Sequence, residues 1–95
     1  MVLTGFDKIE KEKIENLRFP SDEVLTDESL KSARRVNLAR ALSLGNLEHA
    51  KIRIYFEDDS SCKMVETTVW GVTDERVILK QGLVIPIHRV HSVEI

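Results

Sequence analysis

The side chains able to hold a metal or act as a soft nucleophile are few: Cys62, His49, His88 and His91 in 95 residues. His88 and His91 stand three apart, a spacing that aligns two imidazoles on a helix but sends them to opposite faces of a strand. A zinc site needs three or four donors and further groups to orient them. Cys62, His88 and His91 are a sparse set, so a metal-dependent activity there is the most distant reading, and neither a metal nor a cofactor is expected. Cys62 follows Ser60 and Ser61 and precedes Lys63, with no base and orienting third group at a recognisable spacing. The chain contains no Gly-x-Ser-x-Gly elbow, no phosphate-cradling glycine loop and no His-Glu-x-x-His. Asp58 and Asp59 are neighbours in a polar turn, where solvation accounts for them. Glu66 lies inside a β-forming run, and Arg53 or Lys51 on the next strand would balance it. No enzymatic activity is expected.

Two other groupings carry more weight. Lys31, Arg34, Arg35 and Arg40 fall between Ser29 and Leu47 with no acid among them, in a chain of 14 Lys+Arg, 16 Asp+Glu and net charge −2. Such a segment suits phosphates, and Arg53, Tyr55 and Arg89 would add charge and stacking of the kind that small barrels offer single-stranded nucleic acid. The plain alternative is that cations favour the C-terminal half of a helix and solvate its outer face. The second grouping is apolar: Leu83, Val84, Ile85, Pro86 and Ile87 in one run, and Trp70 among alternating β-formers. One face of such a strand fills a core, and the other must meet a helix or another chain. Association with itself or with a protein partner is the leading expectation, and RNA is the alternative.

The elements that must position these residues change character near Gly45. Thr4 and Asp7 form a weak capping box, and Phe6, Ile9, Ile14 and Leu17 share about one third of a helical wheel, which predicts a helix over 1–19. Pro20, Ser21 and Asp22 mark a connector over 18–26. A second helix starts after Thr26 or Asp27 and stops at Gly45-Asn46. From Ala50 the period is two: Ile52, Ile54 and Phe56 alternate with Lys51, Arg53, Tyr55 and Glu57. Residues 63–73 predict a long strand bent at Gly71 and shared between two sheets. Residues 77–79, 83–88 and 90–95 complete five strands, with Pro86 on an edge because it lacks a backbone donor. Five short strands joined by tight turns predict a small closed barrel.

Hydrophobic residues make up 42% and charged residues 32%, the balance of a soluble globular domain. No apolar run nears the roughly 18 residues of a membrane span, no basic-then-apolar leader opens the chain, and one cysteine excludes an internal disulfide. A cytoplasmic protein without membrane contact is expected. It is organised as 1–25, an N-terminal helix and connector, and 26–95, a single helix-plus-barrel domain.

A helix followed by five strands, the second long and bent, resembles the Sm-like fold among the SH3-like small barrels. The stretch KIRIYFEDD at 51–59 sits where that family has its first strand and turn. VTDERVIL at 72–79 is similar to the bacterial Sm stretch in which an Asp, here Asp74, precedes the third strand. IHRVHS at 87–92 resembles the Lys-His segment, with His88 in place and Ile87 where the Lys would be. Thr73 replaces the usual aromatic, and Asp58-Asp59-Ser60-Ser61 replaces the usual first-turn glycine. The resemblance covers roughly residues 30–95 and implies RNA binding through Arg34, Arg35, Arg40 and His88. VETTVWGVT and LKQGLVIPIHRV also resemble segments of a group of short bacterial proteins, a likeness that implies no activity. The fold expected is therefore α+β: one or two N-terminal helices, then a five-stranded SH3-like (Sm-like) antiparallel β-barrel.

Overall fold

Asp27 caps the one long helix of the computed structural model, which describes residues 5–95. Its carboxylate accepts the Ser29 N–H at 2.8 Å, satisfying one of the free donors at the start of α1 (Glu28–Glu48). The helix buries only a narrow stripe, Arg34, Leu38, Ala41 and Gly45. It runs through Gly45-Asn46, the expected stop, and ends at His49, which adopts the left-handed conformation at φ 53. The glycine has a different use. A Cβ at position 45 would collide with the carbonyl oxygen of Val69, so glycine lets the helix backbone approach the sheet.

The strands are β1 (Asp7–Lys8), β2 (Ile52–Glu57), β3 (Cys62–Thr67), β4 (Val69–Val72), β5 (Arg76–Leu79), β6 (Val84–Pro86) and β7 (Val90–Glu94). Among the described residues 5–19, the helix expected over 1–19 is not formed. Thr4, its cap, lies outside the described residues; Asp7 and Lys8 pair in parallel with Lys63 and Met64 of β3, and Lys11–Asn16 is a short 3-10 turn. The exposed edge of β3 offers ladder partners, such as Ile9 N–H to Met64 O at 2.9 Å, which a short isolated helix lacks. Ile14 still reaches the core, and Ile9 and Leu17 pack against it.

The run 63–73 does serve two sheets, but it breaks at Thr68 instead of bending at Gly71. The Thr68 carbonyl accepts Lys80 N–H at 3.0 Å and its hydroxyl donates to His49 O at 3.2 Å, so the corner is tied to both neighbours. One sheet has the order β1-β3-β2-β7 and the other β4-β5-β6. The barrel is not closed: among the described residues no ladder joins β6 to β7, because a 3-10 turn over Ile87–Arg89 turns the chain between them. Pro86 lies on the edge strand β6, where its missing donor leaves no ladder bond unmade.

The core fills the space between the sheets with Ile52, Ile54 and Phe56 from β2, Val65, Val69, Val77, Leu79 and Ile85 from the next four strands, and Val90 and Val93 from β7. Leu38 and Ala41 bring α1 onto it, and the helix lies against one strand of each sheet, β4 and β7. No helix among the described residues is long and apolar enough to cross a membrane. The close approach at position 45 is directly testable. Gly45→Ala is a better helix former by nearly 1 kcal/mol, yet it is expected to lower stability by about 1–3 kcal/mol through overpacking, read as an earlier urea midpoint.

Candidate functional site

Arg34 and Arg89, two of the expected phosphate-binding residues, are spent inside the fold. Arg34 is 7% exposed; its guanidinium donates to both carboxylate oxygens of Glu23, at 2.8 and 2.7 Å, and to Val90 O at 2.9 Å. Arg89 is 3% exposed and donates to the carbonyl oxygens of Glu57 at 3.0 Å, Asp22 at 2.8 Å and Asp58 at 3.3 Å. His88 is half-buried, with Nε2 2.9 Å from Pro20 O. These residues fasten the connector 18–26 to the sheets and present little to a ligand.

The stacking surface expected from Arg53 and Tyr55 is not assembled either. Arg53 sits between Glu66 at 3.3 Å and Glu94 at 3.1 Å, which face it from β3 and β7. Tyr55 is buried, with the Phe6 ring edge-on at 5.3 Å. Lys31 reaches Glu28 at 3.3 Å. Arg35 and Arg40 stay exposed, but five residues at 3.6 per turn place them about 140° apart around the helix. Grooves of about 300 and 530 Å³ between α1, the β4–β5 turn and β6 have Lys31, Arg35 and Arg76 on their walls, but also Glu28, Asp74 and Glu75, so neither selects one sign of charge.

The apolar grouping divides by strand parity. Ile85 points inward and is fully buried, so it belongs to the core and not to an interface. Leu83 and Ile87 are half-buried and pack against the core. Val84 pairs with Ile78 and Pro86 with Arg76, on the face opposite Ile85. The β4 register slips between Val69 and Gly71, a bulge in which Trp70 and Gly71 together oppose Ile78. Trp70, Ile78, Val84 and Pro86 therefore share the outer face of the three-stranded sheet, with Trp70 52% exposed.

A third grouping lies on the other sheet. Glu57 ends β2, Cys62 begins β3 opposite it, and His91 is on β7. Glu57 Oε1 is 2.9 Å from His91 Nε2 and 3.5 Å from Cys62 Sγ. Burial and the neighbouring Glu57 carboxylate raise the Cys62 thiol above its ordinary range, the opposite of what a nucleophilic cysteine needs. His88, grouped with Cys62 and His91 by sequence, lies elsewhere, and Glu57 takes its place. That partner was missed because the alternation of β2 reads Glu57 as merely outward-facing. The signal was the four-residue turn 58–61, which makes positions 57 and 62 cross-strand neighbours.

Two carboxyls bear on stability. The Arg34 guanidinium, working against partial burial, holds Glu23 at about 2, from an ordinary 4.5. Burial pushes Asp58 upward, but Lys63 at 2.7 Å and the N–H groups of Ser60 and Ser61 outweigh it and hold it at about 2, from 3.8. Both values are depressed in the folded chain. Their contribution to stability is complete above the unfolded values and drains as pH falls through about 4 toward 2. Glu23→Gln, which leaves Arg34 buried without a counter-charge and with two of its three acceptors, is expected to cost on the order of 3 kcal/mol near neutral pH and to flatten the acid limb. Urea midpoints measured across the acid range check both effects. Protein-family models, curated proteins and solved structures give no match to the chain.

Proposed function

We propose that the chain is a non-catalytic interaction module that associates with a second copy of itself through the outer face of its three-stranded sheet. The observation that carries this reading is the continuous outward row of Trp70, Ile78, Val84 and Pro86. Isolated surface apolar residues are ordinary, but an adjoining set with a half-exposed tryptophan, flanked by the cations Arg76 and Lys80, has the composition of an interface centre with a polar rim. A two-fold axis would bring each Trp70 onto the same face of the partner. The small net charge of −2 sets little repulsion against two copies meeting. The free edge of β6 adjoins the same face, and Pro86 limits how far backbone pairing extends along it.

The strand order supports the resemblance to Sm-like and SH3-like small barrels as an arrangement: β7-β2-β3 continues through the Thr68 corner into β4-β5-β6, with a helix ahead of β2. RNA binding is the weaker reading. Of its residues, Arg34 and Arg89 are committed internally, Arg53 is held by two carboxylates, and Arg35 and Arg40 look in different directions.

Light scattering behind a sizing column, at two salt concentrations, tests the proposal. A salt-resistant dimer is expected. Trp70→Asp and Val84→Asp should each weaken it by about 30-fold or more, as loss of a hot-spot residue does, with unchanged far-UV circular dichroism. Arg35→Glu should leave the mass unchanged. A parent chain that stays monomeric at high micromolar concentration, or a dimer indifferent to both aspartates, overturns the reading.

A further inference from the structure

We propose that Glu57, Cys62 and His91 form a binding site for one divalent transition-metal ion of the zinc class. Three adjacent strands each deliver one donor to one face of the four-stranded sheet: Glu57 from β2, Cys62 from β3 and His91 from β7. The carboxylate oxygen, the thiol sulfur and an imidazole nitrogen all lie within 4.8 Å of one another. Zinc bonds of about 2.0–2.1 Å to N and O and 2.3 Å to S, at tetrahedral angles, set donor separations of roughly 3.3–3.7 Å. The present 2.9 Å from Glu57 to His91 opens slightly, the 3.5 Å from Glu57 to Cys62 fits, and the remaining spacing, within 4.8 Å, closes by at most about 1.5 Å.

The surroundings hold these donors in place. The ring of Phe6 stands edge-on to His91, with centroids 5.5 Å apart. Arg89, itself fixed by three carbonyls, lies 3.6 Å from the second oxygen of Glu57 and orients the carboxylate from behind. Supporting contacts of this kind fix the rotamers of metal ligands. All three residues are half-buried, so one side is open for a water as fourth ligand. Thiolate and imidazole favour zinc or cobalt over calcium or magnesium, which prefer oxygen alone. The balance is simple. On binding, the Cys62 thiol releases its proton to solvent, and the proton that His91 Nε2 shares with Glu57 leaves to solvent as Nδ1 keeps or takes up one, so that the neutral imidazole binds through Nε2. Thiolate and carboxylate then neutralise the dication, and the nearby cations Arg89 and Lys63 remain the opposing charge.

The test uses the full chain without a histidine tag, stripped with a chelator and titrated with cobalt(II), then zinc(II). The expected result is a thiolate-to-cobalt charge-transfer absorption that saturates at one ion per chain and disappears as zinc displaces cobalt. Cys62→Ser should abolish the band. His91→Gln and Glu57→Gln should each weaken binding by at least about 10-fold, since even supporting residues contribute that much. His88→Gln, the histidine outside the cluster, should change nothing. Far-UV circular dichroism of each variant without metal separates lost binding from lost folding. A parent chain with no charge-transfer band at millimolar cobalt overturns the proposal, and so does a band whose affinity survives both His91→Gln and Glu57→Gln.

Discussion

Arg89 donates to three main-chain carbonyls, one in the connector and two where β2 runs into its turn, while almost wholly removed from water, and Arg34 adds a similar tie beside it. A buried guanidinium is tolerated only when its planar fork of donors is filled, because the desolvation penalty is several kcal/mol. Here the partners come from the connector, the end of β2 with its turn, and β7. Arg89 thus fixes where the connector crosses the sheets. Arg34 and Glu23 then pin the same connector to the helix, so that α1, β7 and the N-terminal segment become one body. Removing Arg89 takes this donor from three carbonyls, and removing Arg34 takes it from the Glu23 carboxylate and the Val90 carbonyl, in each case a larger disturbance than the loss of one ion pair.

What could be read from the sequence follows from what a local pattern encodes. Period-two alternation marked β2, short apolar runs between turns marked β5 and β7, and Thr26-Asp27 marked the start of α1, because strand faces and helix caps are decided within a few residues. Phe6, Ile9, Ile14 and Leu17 misled because a stripe on a helical wheel is also met by a strand followed by a tight turn. The choice between them was made by the distant edge of β3. Gly45 misled in the same way: its reason lies at Val69, far along the chain. Closure of the barrel depended on a three-residue turn at 87–89 whose conformation no hydrophobic pattern records. The arginines misled most, since their type predicts the surface and only their tertiary partners place Arg34 and Arg89 inside. The run 83–87 was read as one apolar group with Ile85 in it, because its pattern does not say which residues the sheet turns inward.

The two candidate surfaces lie on different sheets and draw on different physics. The outer face of β4-β5-β6 is apolar because a domain this small has no second layer to cover it, and α1 is already occupied along its narrow stripe. The Glu57–Cys62–His91 cluster is polar and sits where three strand ends converge beside the acidic turn. Neither shares a side chain with the other. The Arg89 network touches only the second, through Glu57.

At Gly45 the helix meets the sheet main chain to main chain, and the next residue after Val69 is Trp70. Ordinarily a packed side chain lies between a helix and a strand and takes up small displacements by changing rotamer. Here that cushion is missing, and the Thr68 hydroxyl holds the helix end from the neighbouring position. Motion of α1 is passed to β4 without slack. The end of the helix and the strand that carries Trp70 are therefore set against each other one residue from the tryptophan, with no rotamer between them to adjust.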